Sequence, residues 1–260
     1  MSLKIIIKTL LIIFFFQINL FAIERLPEEF KIAKIEEKIS QKIDLDTFFY
    51  NSTGEKVYIK DLVKDKPVIL NFVYYSCPRL CHFLVDGLVD GVNKLNASFL
   101  NKFDIISVSF DTRDTIETTT SFQERYTNKL TNKQVQWSFL SGDEENINKL
   151  TSSAGFNFFF NDNIEEYAHA ATLIIINQDG EISRYLHGIT FFPFDLRLAI
   201  IEATDKKYVS SLDSVLMYCY NYDPDERGYV LEAMVLMKVV CSLSLLFFLI
   251  FLYNLYRQKK

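Results

Sequence analysis

Cys77 and Cys81, separated by three residues, are the side chains of this chain best placed to do chemistry. They lie in Ser76-Cys77-Pro78-Arg79-Leu80-Cys81-His82, directly after an apolar run at 68–74. Pro78 suits the first position of a helix, where a missing N–H costs nothing. This puts Cys77 at the helix cap and Cys81 one turn further on, and residues i and i+4 share a helix face. Both sulfurs then point into the same space. A helix N-terminus favours the thiolate and lowers a thiol pKa. Two such soft donors suit Cu(I) or zinc, or can close a disulfide. Dedicated dithiol exchangers carry two residues between their cysteines. The extra residue here moves the pair away from that role without forbidding a disulfide.

His169, in Ala168-His169-Ala170, precedes a second apolar run at 171–177. The start of such a strand can lie beside the cysteine loop, and imidazole is a good ligand for copper and zinc. Two thiolates and one imidazole make a three-ligand site with room for a fourth. The other histidines are weaker candidates: His82 leaves the helix in a different direction from Cys81, and His187 falls at the far end of a hairpin. Cys219 is an odd thiol in an aromatic-rich segment, suited to pairing with a partner or adding a ligand. Cys241 lies inside a terminal apolar run and reads as a small apolar residue. Asp86 and Asp90 read as solvated, with Gly87 and Gly91 letting their helix approach the sheet. There is no paired-carboxylate site, phosphate loop or Ser–His–Asp arrangement.

Strands and helices must bring these groups together. Residues 47–50 and 55–59 flank the turn cluster 51–54 and predict a hairpin. Residues 68–74, 103–110 and 171–177 are continuous apolar strands, as doubly covered strands should be, and 137–140 is a shorter one. Helices are expected over 78–96, 115–126, 143–153 (with Gly155 as its stop signal) and 195–204. Gln178-Asp179-Gly180 turns the chain into an antiparallel strand at 181–186. This order predicts an α/β domain with a mixed sheet and helices on both faces.

The chain ends read as membrane or export segments. Lys4 and Lys8, an apolar run at 10–16 and a polar stop at Glu24-Arg25 suggest an export signal. Ala22 could precede a cleavage site, although Leu20 is large for one, so an uncleaved anchor is the alternative. Residues 234–256 are nearly all apolar and are followed by Arg257, Lys259 and Lys260, which predicts a membrane helix with a cytoplasmic tail. The expected organisation is therefore 1–23 signal or anchor, 24–41 linker, 42–207 globular domain, 208–232 juxtamembrane segment, 233–256 transmembrane helix and 257–260 tail. The net charge of −5 is modest and no basic run interrupts the middle of the chain, which argues against nucleic acid as a partner.

Four segments together resemble the Sco/SenC family: NFVYYSCPRLC (71–81), SVSFDTRDT (107–115), WSFLSGD (137–143) and His169 followed ten residues later by Asp179-Gly180. The resemblance runs from about 42 to 207. YCYNYDP (218–224) and the trailing apolar helix resemble a bacterial subgroup with a C-terminal anchor. The resemblance implies a thioredoxin-like fold with a C-terminal transmembrane helix. It also implies that Cys77, Cys81 and His169 bind Cu(I) or Cu(II), and that Asp111 supports the site from behind. The implied role is assembly of the dinuclear copper centre of cytochrome c oxidase. Partners would be the oxidase's copper-bearing subunit or another copper chaperone, at the inner membrane of a bacterium with the domain on the outer, periplasmic side. Thr112 and Ala170 stand where the family or subgroup usually has proline; neither departure removes a ligand. Thioredoxin-like oxidoreductases place a cis-proline before the strand facing their cysteines, whereas this chain has His169 near that place.

The first expectation is thus a metallochaperone that is not an enzyme. The second is an extracytoplasmic thiol–disulfide oxidoreductase using Cys77 and Cys81. The third, a peroxide-reducing enzyme or redox sensor, has only Arg79 as a hint.

Overall fold

A computed structural model describes residues 33–162, 164–205, 213, 216–217, 220–223, 226–231 and 233–258. The expected signal segment and Cys219 lie outside the described residues. Strands β1 (Phe48–Asn51) and β2 (Lys56–Tyr58) form the expected hairpin. Its turn is held by Asn51, whose side chain accepts the N–H groups of Thr53 and Glu55. A four-residue helix α1 (Ile59–Leu62) leads to β3 (Val68–Val73), which is buried over its whole length. Then come α2 (Leu80–Asn93), a 3-10 turn, β4 (Asp104–Ser109) and α3 (Ile116–Thr127). The start of α3 is fixed by a reciprocal Thr115–Thr118 capping box. Strand β5 (Gln136–Ser141) precedes α4 (Glu144–Ser153), capped by Asp143, which accepts the Asn146 N–H.

A hairpin of β6 (Phe158–Asn161) and β7 (Glu166–His169) follows, then β8 (Thr172–Ile176), β9 (Ile182–His187) and α5 (Pro193–Ala203). The seven-stranded sheet has the order β2-β1-β5-β4-β3-β8-β9. Strands β3, β4 and β5 are mutually parallel, β8 runs antiparallel to β3, and β9 runs antiparallel to β8. Burial of all of β3 and β8 requires cover on both faces, which accounts for their unbroken apolar sequences. The mixed α/β expectation therefore holds.

Three features differ from expectation. Helix α2 begins at Leu80 rather than Pro78, because Arg79 (φ −145°, ψ −78°) is not helical. Residues 33–41, assigned above to a linker, lie against the domain. Glu36 N–H donates to Gly155 O (2.8 Å) and Ser40 N–H to Ile182 O (2.8 Å). Gly155 sits at φ +65°, and a Cβ there would lie 1.9 Å from Glu36 O, so a glycine is required. Finally, Gly87 and Gly91 open α2 to the segment before and within α5 rather than to the sheet: added Cβ atoms would lie 1.9 Å from Ile189 O and 2.5 Å from Leu196 Cδ1.

Beyond α5, strands β10 (Tyr220–Asp223) and β11 (Gly228–Leu231) form a hairpin that docks on the domain. Tyr229 N–H donates to Asp195 Oδ1 (2.9 Å) and its hydroxyl to Glu202 (2.6 Å). Helix α6 (Ala233–Gln258) follows, covering the predicted transmembrane segment. Among the residues whose side chains are described, no helix is long and apolar enough to cross a membrane. The unbroken run of described side chains in α6 covers only residues 237–251, all of them exposed, including Cys241.

Candidate metal centre

The loop from β3 into α2 folds back on itself, with Cys77 N–H donating to Tyr74 O (3.1 Å). In turn, Cys77 Sγ accepts the Cys81 N–H (3.4 Å), one of the first-turn donors that a helix start leaves free. Tyr74 N–H donates to Cys81 Sγ (3.4 Å). Both cysteines are buried and unbridged. Opposite them, β7 delivers His169, whose Nε2 lies 3.6 Å from Cys81 Sγ. The Nδ1 of His169 lies 3.0 Å from the Ala170 carbonyl, which can only accept, so Nδ1 carries the proton.

The two thiols are electrostatically unequal. A hydrogen bond from the Cys81 thiol holds Cys77 well below the usual thiol range, against the opposing effect of burial. His169, Tyr74 and the Cys81 N–H add smaller contributions in the same direction. Burial pushes the Cys81 thiol well up, and the neighbouring Cys77 charge raises it further. Burial also raises the Tyr74 hydroxyl, so it stays a proton donor to Cys77.

Aromatic rings enclose the imidazole. Phe110, Phe156 and Tyr74 have ring centroids 5.1, 5.9 and 6.1 Å from it. The open side is a groove of about 260 Å³ lined by Tyr74, Cys77, Leu80, Ile164, Tyr167 and His169, among others. Among the described residues, no group of three or more His, Cys, Asp and Glu side chains stands as a ready-made metal cage. Glu166, on the groove, is paired with Arg79 (2.8 Å), so the arginine that hinted at peroxide chemistry is exposed and tied to a carboxylate. The Cys81 sulfur and the His169 imidazole are in contact, and Cys77 neighbours both. Metal–sulfur and metal–nitrogen bonds of about 2.3 and 2.05 Å at a tetrahedral angle put the two ligand atoms about 3.5 Å apart, against the 3.6 Å observed.

Asp111 does not reach the thiols. Its buried carboxylate binds the Arg113 guanidinium at 2.8–3.1 Å and accepts a 3.4 Å bond from the Tyr167 hydroxyl, whose ring packs on Tyr74. Asp114, which no sequence signal singled out, is the more direct support. It accepts from Tyr75 N–H (2.7 Å), Ser109 Oγ (2.5 Å) and Thr118 Oγ1 (3.2 Å), tying the cysteine loop to the end of β4. Burial raises its carboxyl pKa. His82 is turned away from the site: its Nδ1 lies 2.6 Å from Tyr126 OH, and it lines a separate cavity of about 370 Å³ with Tyr75, Glu117 and Arg125. His187 is engaged elsewhere: it pairs with Glu37 (2.7 Å) and its Nδ1 lies 3.0 Å from Thr172 Oγ1.

The fold and these motifs have known counterparts. No curated protein sequence matches the chain significantly. A protein of Aquifex aeolicus VF5 described as an electron-transfer protein matches with TM-score 0.57 and 24% identity, over 64% of this chain and 94% of that one. BsSco, a member of the Sco family of cytochrome c oxidase assembly proteins in which a disulfide switch was identified, matches with TM-score 0.51 and 21% identity, over 64% and 94%. Copper-bound ScoI of Bradyrhizobium japonicum matches with TM-score 0.46 and 20% identity, over 63% and 97%. The first two likenesses show a shared fold, the thioredoxin-like one. The SCO1/SenC family model matches residues 37–193, more than half of the sequence and all three candidate ligands. On that match, the chain belongs to the SCO1/SenC family.

Proposed function

We propose that this chain is a membrane-anchored copper metallochaperone that takes part in assembling the copper centre of cytochrome c oxidase. Cys77, Cys81 and His169 hold the ion. The observation that carries the reading is the contact of Cys81 Sγ with a His169 Nε2 whose partner nitrogen is locked onto Ala170 O, with Cys77 in the same cluster. A backbone carbonyl on the far nitrogen is the usual support of a metal-binding histidine. Two thiolates select a soft ion such as Cu(I), and the imidazole extends the set to Cu(II). Three donors leave a coordination position open toward the groove, where a ligand of the acceptor replaces them one at a time. A closed four-ligand cage would release its cargo slowly. Asp111 supports the site through Tyr167.

Helix α6 is the anchor. Its 26 residues span about 39 Å at 1.5 Å each, more than the roughly 30 Å bilayer core. The basic tail places the C-terminus in the cytoplasm and the globular domain outside, at the inner membrane of a bacterium. A C-terminal reporter active only in the cytoplasm supports this orientation; activity outside overturns it.

The second reading, a thiol–disulfide oxidoreductase, is favoured by the opposed shifts of the two thiols. The Cys77 thiolate would attack a substrate disulfide, forming a mixed disulfide and releasing one substrate thiolate. Cys81, after losing its proton, would then attack the Cys77 sulfur, leaving a Cys77–Cys81 disulfide and a reduced substrate. Copper titration of the reduced full chain separates the two. The chaperone reading predicts one copper per chain, most of its Cu(II) affinity lost in His169→Ala, and both copper states lost in Cys77→Ser or Cys81→Ser. Unchanged copper binding in His169→Ala, with high disulfide reductase activity, would establish the second reading instead.

A further inference from the structure

The loop after β9 and the first turn of α5 present an apolar surface. Ile189, Phe192 and Phe194 are 42, 64 and 39% exposed, and residues 188–194 carry no charge. The loop is seated firmly, because Gly87 has no side chain where Ile189 O abuts α2. The first acid after it, Asp195, is turned inward to accept the Tyr229 N–H of the β10–β11 hairpin.

That hairpin joins the loop to α6. The Phe194 ring packs edge-on against Tyr220, with centroids 5.0 Å apart. Tyr220 is the backbone partner of Leu231. A single residue separates Leu231 from the start of α6 at Ala233, a span of at most about 7 Å. The hairpin cannot swing freely, since Tyr229 is bonded to both Asp195 and Glu202, and the Arg184 guanidinium lies 5.3 Å from the Tyr222 ring. Uncharged aromatic residues held beside the entry of an apolar helix suit the boundary between headgroups and acyl chains.

We propose that residues 189–194 insert into the bilayer interface beside α6. The domain then meets the membrane at two linked points, which fixes the orientation of the copper groove relative to the lipid surface. Asp86, Asp90 and Lys94 line the groove beside Phe192 and form the polar margin of the contact. This inference rests on α6 being the anchor.

The test uses the full chain in phosphatidylcholine nanodiscs. Phe192→Trp adds a fluorophore to a protein whose one tryptophan, Trp137, is buried. The added emission should be blue-shifted, shielded from aqueous acrylamide and mostly lost when the lipid is brominated high on its acyl chains. Tyr50→Trp, on β1 across the sheet from β9, should be indifferent to bromine. Phe194→Trp provides a second probe should the first variant fold poorly. Emission that ignores brominated lipid overturns the inference, whether the probe is open to acrylamide or shielded by a protein contact instead. Alkaline carbonate extraction of the same chain from proteoliposomes tells the two failures apart. Release means that α6 is no anchor and both readings fall, whereas retention with an unquenched probe removes only the loop contact.

Discussion

Replacing Asp114 by alanine removes the acceptor that ties the cysteine loop to the end of β4. Three donors lose it, at unequal cost. Ser109 Oγ also lies 3.5 Å from Asp111 O, and Thr118 Oγ1 lies 3.0 Å from Thr115 O, so both hydroxyls keep an alternative. The N–H of buried Tyr75 gives its 2.7 Å bond to Asp114. Orphaning a donor that had bonded a charged group costs about 2–3 kcal/mol. At about 2–4 °C per kcal/mol for a domain of this size, the melting temperature of the copper-free protein should fall by roughly 5–10 °C. Asp114→Asn retains an oxygen for the Tyr75 N–H and should lose about a third of that. Thermal melting of the full chain in detergent, followed by Trp137 fluorescence, reads both. Copper affinity should fall in the same order while the stoichiometry stays at one, because no ligand is removed. A melting temperature for Asp114→Ala within about 1 °C of wild type would refute the claim that this carboxylate anchors the loop.

The thiols set a pH dependence with a definite sign. The folded-state pKa of Cys77 is depressed, so its contribution to stability is complete above the unfolded thiol pKa of about 8.5 and is lost as pH falls toward the depressed value. Cys81 is raised, so its contribution is complete below about 8.5 and is lost as pH rises beyond it. Urea unfolding of the copper-free protein across pH should show the acid-side rise flattened in Cys77→Ser and the alkaline fall flattened in Cys81→Ser; unchanged profiles would contradict the assignment. Gly87→Ala should destabilise by about 1–3 kcal/mol or more, since its Cβ would meet a backbone oxygen that cannot step aside. A melting curve matching wild type would mean that the α2–loop contact is looser than the geometry shows.

The candidate site was legible because its chemistry is written in residue types. Cys77 and Cys81 stand out by spacing alone, and the unbroken apolar runs of β3 and β8 mark the central strands next to which they had to fall. The setting of His169 was less visible. Its hairpin, β6–β7, is built from Phe158-Phe159-Phe160 and Glu166-Tyr167-Ala168, which lack two-residue alternation, and the polar cluster Asn161-Asp162 was its only turn signal. The start of α2 was misplaced because Pro78 is only permissive for a first helical turn. What decides the start is that the Cys77 sulfur accepts the Cys81 N–H. Asp114 escaped because one carboxylate in a loop has no pattern; only the folded loop shows that Tyr75 N–H has no better partner. The Gly87–Ile189 approach is a tertiary fact that no local sequence feature encodes.

X-ray absorption at the copper edge of the loaded full chain tests the central claim most directly. The account predicts two sulfur scatterers at about 2.3 Å and one imidazole nitrogen at about 2.0 Å, with the nitrogen lost in His169→Ala. Copper surrounded by nitrogen and oxygen alone, or an imidazole that persists in His169→Ala, would contradict it.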